Sequence, residues 1–228
     1  MSSAVSSAHA VPATPEAGAS PVLSASGIVK SYRSGPLPWR TRRVLNGADV
    51  TLNKGEVVGL VGENGSGKTT LMKILIGALA ADAGAVARPD QVGYCPQEPV
   101  VYPRLTCNEH FELFGRAYGM RAGHERACRQ EIYETLGFER YASVRADQLS
   151  GGTLSKLNLG LALLPDPDLL LLDEPYAGFD WDTYTKFWGL VEQRRSRGRA
   201  FLVISHFVVD EERFDRILEI REGRTYPR

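Results

Sequence analysis

The stretch that most narrows what this chain can fold into is EVVGLVGENGSGKTTLMKIL, residues 56–75. Val57 to Val61 form a continuous apolar run closed by Gly62, the pattern of a strand buried on both faces of a parallel sheet. Beyond the turn, Leu71, Ile74, Leu75, Ala78 and Leu79 recur at helical spacing, which predicts one apolar-faced helix reaching Leu79. Between strand and helix, residues 62–69 satisfy the pattern G-x-x-x-x-G-K-S/T. Strand, glycine turn and helix together are the context such a loop needs to cradle phosphates. Gly62, Asn64, Gly65, Ser66 and Gly67 let successive backbone N–H groups face phosphate oxygens at a helix start. Lys68 reaches the β and γ phosphates of a nucleotide, the Thr69 hydroxyl is a ligand for Mg²⁺, and Thr70 extends the cradle into the helix.

A parallel strand needs neighbours, and two further apolar runs supply them. DLLLLDEP, residues 168–175, sets Asp173 and Glu174 at a strand's carboxyl end, where open α/β sheets bind ligands. Asp173 suits a hold on Mg²⁺, and Glu174 suits a general base that polarises an attacking water. AFLVIS, residues 200–205, ends beside His206, which is expected to contact the γ phosphate. Alone, a carboxylate pair reads as a solvated turn or helix cap, and a lone histidine as a surface group. The phosphate loop upstream decides against those readings.

The rest of the chain organises around this core. VLSASGIVKSYR and RVLNGADVTLN are short β segments, joined by SGPLPWRTRR, residues 34–43, read as a solvated hairpin loop. A contact role for its Trp39 and arginines is the alternative. QVGYCPQ reads as a strand. Thr106 and Glu109 then stand in capping-box spacing before Phe111, Phe114 and Tyr118 on one helical face. A second helix runs from about Glu125 to Leu136 and stops at Gly137. Residues of about 99–155 thus read as a helical insert. A helix from Thr183 to Gly198 and an edge hairpin about Gly223 complete the pass. Residues 1–21 are rich in Ala, Ser and Pro, lack a basic start and an apolar stretch, and read as a disordered tail rather than a leader. Residues 22–228 read as one domain.

Lys and Arg total 27 against 27 Asp and Glu, so no basic excess points to nucleic acid as a partner. Cys95, Cys107 and Cys128 show no CxxC spacing, which argues against zinc or a disulfide framework and favours a reducing compartment. The longest apolar stretch, LGLALLPDPDLLLLDEP, is broken by two prolines and two aspartates before it reaches the ~18 residues a membrane span needs. Any membrane role therefore calls for a span on another chain.

A second glycine-marked helix start, LSGGTLSKL at residues 149–157, completes a resemblance. From Val22 onward the chain resembles the ATP-binding subunits of ATP-binding cassette (ABC) transporters, for which LSGG is the signature. The resemblance implies an α/β fold: a P-loop NTPase (RecA-like) core with an antiparallel β subdomain and an inserted α-helical subdomain. It implies ATP and Mg²⁺ as cofactors and ATP hydrolysis coupled to transport. Two copies, or this chain and a second ABC ATPase, would close head to tail, with Ser150, Gly151 and Gly152 of one facing the phosphate loop of the other. The physics agrees, since a glycine-led helix N-terminus offers bare N–H groups and a positive dipole end to a γ phosphate. The Leu154, Leu157, Leu161 and Leu164 series gives that helix its apolar stripe.

By the same resemblance Tyr32 stacks on adenine, Gln97 touches Mg²⁺ or the attacking water, and Asp180 belongs to a loop crossing the dimer interface. The resemblance further implies a separate transmembrane permease, docked by the stretch after Gln97, and a cytoplasmic, peripheral place on the inner membrane face. That stretch is similar to those of exporters more than importers. The competing reading is a soluble ABC-type ATPase acting on ribosomes or DNA. Such relatives usually carry two cassettes or a long coiled coil, and this chain has one cassette and a short insert. Thr153 stands where the family usually has glutamine, and Tyr176 and Ala177 where Thr and Ser are common, but no catalytic group is removed.

Overall fold

The computed structural model describes residues 21–33, 41–205 and 210–228. Two sheets organise it. β1 (Leu23–Arg33), β2 (Thr41–Leu52) and, further on, β4 (Ala83–Ala87) form an antiparallel sheet in the order β2-β1-β4. The six-stranded sheet has the order β5-β6-β7-β3-β8-β9, with β3 (Val57–Val61), β5 (Val92–Cys95), β6 (Leu169–Asp173), β7 (Ala200–Ile204), β8 (Arg216–Arg221) and β9 (Arg224–Pro227). All its pairings are parallel except β8 with β9, the hairpin expected at Gly223.

Every residue of β3, β6 and β7 is buried, as their uninterrupted apolar runs predict. Alternate side chains go to opposite faces. Leu170, Leu172, Phe201 and Val203 pack with the helices α3 (Ala122–Leu136), α4 (Gly151–Leu163) and α5 (Trp181–Arg195). Leu169, Leu171, Leu202 and Ile204 pack with α1 (Lys68–Leu75) and the three-stranded sheet. This layering puts the carboxyl ends of β3 and β6 on one edge of the sheet.

The insert contains α2 (Cys107–Ala117) and α3. The capping box is present: the Thr106 hydroxyl accepts from Glu109 N, and the Glu109 carboxylate accepts from Thr106 N at 2.7 Å. α3 ends at Gly137, whose φ of 66° lies in the left-handed region that glycine enters without a Cβ penalty. α4 crosses the two helices closely at Gly160, where a Cβ would come 2.9 Å from both Phe111 Cζ and Ile132 Cγ2.

Three sequence expectations are corrected. α1 stops at Leu75, not Leu79, because Gly77 turns left-handed (φ 80°) and its N–H bonds Ile74 O, which leaves Ala78 exposed. Thr41 and Arg42 belong to β2, which starts two residues before the expected Arg43, rather than to a loop. Leu157 to Leu164 are buried without interruption, so the second half of α4 is enclosed on nearly every side instead of carrying one stripe. β4, whose AGAVA is almost wholly exposed, has no alternation that sequence reasoning could use.

Candidate functional site

The loop from Gly62 to Lys68 wraps tightly after β3. Gly62 (φ 151°) leaves room for Ile220, whose backbone oxygen and Cγ2 would both lie 2.7 Å from a Cβ there. Gly67 (φ 111°) caps α1 in a left-handed conformation while Val44 O approaches to 3.1 Å of its Cβ direction. These contacts fold the backbone inward, and Leu71 N bonds Gly67 O at 2.8 Å to start α1. Lys68 is buried to 7% exposure and its ammonium donates to Gly62 O (2.7 Å) and Glu63 O (3.0 Å). Burial pulls its pKa below the usual lysine value, opposed by the charges of Asp173 and Glu174. The ammonium thus lies inside its own loop, beside two carboxylates, with donors to offer an anion.

Those carboxylates come from the end of β6. Asp173 is buried, and the Thr69 hydroxyl donates to its Oδ2 at 3.4 Å. Glu174 follows with φ 51°, a left-handed conformation uncommon for a residue with a side chain and found at sites where geometry is over-determined. Its N–H bonds Ile204 O at 3.0 Å, which ties the turn to β7. Lys68, Thr69, Thr70, Asp173, Glu174 and Gln97 line one cavity of about 400 Å³, with Asn64, Gly65 and Gly67 forming its glycine wall. Oxygen ligands at Thr69 and Asp173 suit a hard cation such as Mg²⁺ that is completed by phosphate oxygens. Among the described residues no cluster of three or more His, Cys, Asp or Glu forms a protein-only cage.

Arg42 and Val44 also line this cavity; sequence reasoning missed Val44 and held a contact role for the arginines of this run only as the alternative. Arg42 sits opposite Tyr32 in the β1–β2 register, and its guanidinium comes 4.0 Å from the Cβ direction of Gly65. The signal was the arginine-rich run, read as a solvated loop. Tyr32 itself is 40% exposed, with its hydroxyl 3.4 Å from Thr70 Oγ1, so it flanks the phosphate loop without lining the cavity.

The signature residues are elsewhere. Ser150 caps α4, its hydroxyl accepting from Thr153 N at 3.3 Å and lying 3.0 Å from Thr153 Oγ1. Thr153 therefore serves the cap. Gly151 opens onto free space, and Gly152 is close to Gly178, whose carbonyl would be 3.2 Å from a Cβ. Asp180 caps α5 by accepting from Thr183 N at 2.7 Å. None of Ser150, Gly151, Gly152 and Asp180 lines the cavity of Lys68. His206 lies outside the described residues. The three cysteines are free, with Cys95 and Cys107 buried.

A family model described as ABC transporter matches residues 45–177, more than half of the chain. The Nod factor export ATP-binding protein I of Burkholderia lata is 36% identical over 194 residues, which cover 79% of this chain and 64% of that relative. A linearmycin resistance ATP-binding protein of Bacillus subtilis is 30% identical over 215 residues, covering 89% and 67%. The chain spans about two thirds of the length of these curated relatives. Among solved structures, an ATP-binding subunit of an ABC transporter superposes with a TM-score of 0.81 at 26% identity, covering 90% of this chain and 88% of the other. A dimeric bacterial ABC transporter cassette gives 0.80 at 24% identity, covering 89% and 96%, and this likeness concerns the fold. The phosphate loop, the carboxylates closing on it and the matched family model converge: this chain belongs to the ABC transporter family.

Proposed function

We propose that this chain hydrolyses ATP, two copies closing over two nucleotides, and drives export through a separate membrane-spanning permease on whose cytoplasmic face it sits. One observation carries the reading. Lys68, Thr69, Asp173 and Glu174 share one cavity, while the Ser150–Gly152 helix start lies outside it in the same chain. A second copy, homologous or identical, supplies that helix start to the γ phosphate. The naming of two relatives as export and resistance ATP-binding proteins supports the export direction. Residues 22–228 serve as one ATPase domain with an insert of about 99–155. The upper limit falls within α4, so that helix joins insert and core.

In the reaction, Lys68 and the loop N–H groups hold the β and γ phosphates in line for attack. Tyr32 flanks the adenine, and Gln97 with Glu174 orients a water. Glu174 accepts the water's proton as its oxygen bonds the γ phosphorus. The bond from that phosphorus to the β–γ bridging oxygen breaks, and ADP leaves with the bond's electrons. Mg²⁺, held by Thr69 and Asp173, would draw charge from the phosphate oxygens. Asp180 and Gly152 carry the sandwich interface, and His206 the γ-phosphate contact. Val100 and Tyr102, 71% and 57% exposed, form with Val101 and Leu105 an apolar patch beside Gln97 that suits the permease's cytoplasmic helices.

The test is turnover against protein concentration. Total activity should rise more than linearly with protein concentration, specific activity climbing to a plateau, and Gly152→Asp should abolish it while ATP still binds at the Lys68 loop. Concentration-independent activity in a proven monomer overturns the two-copy reading. Tyr102→Glu should leave ATP binding intact yet detach the chain from permease-containing membranes.

A further inference from the structure

α4 is an apolar helix with one buried amide among its leucines. Asn158 is 6% exposed, between the fully buried Leu157 and Leu159. A neutral amide in such a place is costly unless its hydrogen-bonding groups are used. Its three hydrogen bonds all go to one short segment. Nδ2 donates to Pro96 O at 2.8 Å and to Cys95 Sγ at 3.2 Å, and Oδ1 accepts from Val100 N at 3.4 Å. The bonds fall on both sides of Gln97, closing the 96–100 turn like a clasp. The far end of that segment is held separately, as Tyr102 N donates to Nε2 of the buried His110 on α2 at 2.9 Å.

Asn158 lies seven residues after Gly151, about 10 Å along a rigid helix from the glycine start of α4. Of the exposed apolar residues, Val100 lies on the turn that it closes and Tyr102 two residues beyond. We infer that Asn158 is a positioning residue that ties the Gln97 turn to α4, so that a nucleotide engaged by Gln97 in one chain sets the Ser150–Gly152 helix start that the same chain offers to its partner. The inference rests on the reading of this chain as a two-copy ATPase and adds to it the residue that joins a chain's own site to the half-site it lends. Asn158 does not line the cavity of Lys68. It acts through Gln97 and α4.

The experiment uses the full chain and two variants, Asn158→Leu, which keeps the branching and the number of heavy atoms and loses the amide, and Asn158→Ser, which keeps a smaller polar group. Three quantities are measured: ATP affinity, turnover, and amide hydrogen exchange with and without ATP and Mg²⁺. In the parent chain ATP should slow exchange at both 97–100 and 151–154. In Asn158→Leu the affinity should stay within about 2-fold, because the phosphate loop is untouched, while turnover falls about 10-fold or more. ATP should still slow 97–100 but no longer 151–154, and Asn158→Ser should fall between. A double variant with Gln97→Ala should be no slower than Gln97→Ala alone, since both changes cut one line of coupling. Responses at both segments in Asn158→Leu, loss of both at unchanged affinity, or additive losses of turnover each overturn the inference. A parent chain that binds ATP without turnover at any concentration overturns the ATPase reading instead, before any variant is compared.

Discussion

Replacing Glu174 by Gln isolates the general base from everything else the carboxylate end of β6 does. The turn at Glu174 is set by its backbone: φ is 51°, its N–H bonds Ile204 O at 3.0 Å, and its O accepts from Ala177 N at 3.2 Å. Glutamine has the same length and branching, so it meets the same conformational cost and leaves these bonds in place. Asp173 and Thr69, the pair suited to the cation, keep their 3.4 Å contact. What disappears is the oxygen that can take a proton from water. General-base contributions run to about 10²–10⁴ in rate, or about 3–5 kcal/mol of barrier at 1.36 kcal/mol per factor of ten. ATP affinity should not weaken, because Glu174→Gln removes a negative charge near an anionic ligand and leaves the Lys68 loop alone. ATP-bound dimers should therefore accumulate. Steady-state phosphate release measures the first effect, and size-exclusion chromatography with light scattering in ATP and Mg²⁺ measures the second. Turnover within a few-fold of the parent chain, with matched ATP affinity, would refute Glu174 as the base.

Three further outcomes follow from geometry. Arg42→Ala should weaken ATP binding about 3- to 10-fold, more at low salt than at high, with stability changed by less than about 0.5 kcal/mol because the side chain is exposed; titrations at two ionic strengths check it. Gly160→Ala gains about 1 kcal/mol of helix propensity but forces a methyl to within 2.9 Å of the buried Phe111 and Ile132, an overpacking cost of about 1–3 kcal/mol. A net loss of about 1 kcal/mol should appear in urea unfolding. Burial holds the His110 pKa below the usual 6.5, against the pull of Thr106 O and Glu109, and its Nε2 must be neutral to accept from Tyr102 N. Its contribution to stability is thus complete above the unfolded value and lost as pH falls through the folded one. His110→Leu should flatten that part of the stability profile below pH 6.5, as read by thermal unfolding across pH.

What the sequence discloses and what it withholds divide along a physical line. β3, β6 and β7 were legible because a strand buried on both faces has no polar residue to blur its pattern, and their carboxyl ends carry the residues that chemistry requires. The capping box at Thr106 and the stop at Gly137 were legible because their signals are local, complete within four residues. Local periodicity failed where a single backbone conformation overrode it: Ala78 and Leu79 continue the apolar spacing of α1, yet Gly77 turns left-handed and the helix ends. β4 failed for the opposite reason, since small exposed residues pair with β1 without any pattern of burial.

The harder omissions depend on register and crossing, which no local window contains. Arg42 reaches the cavity only because β2 pairs with β1 so that it stands opposite Tyr32, beside the loop at Gly65. In the chain it is one of several arginines in a polar run. Asn158 is a single polar letter in a leucine-rich helix, and its partners lie 58 to 63 residues away, brought to it by the packing of α4 against β5. The motifs announce the groups proposed to meet the nucleotide. The side chains that hold those groups in place answer to the fold, and they become visible only when strands are in register and helices have crossed. Gln97 illustrates both halves: family resemblance identifies it, but the turn that presents it is closed by an amide two helical turns beyond the signature.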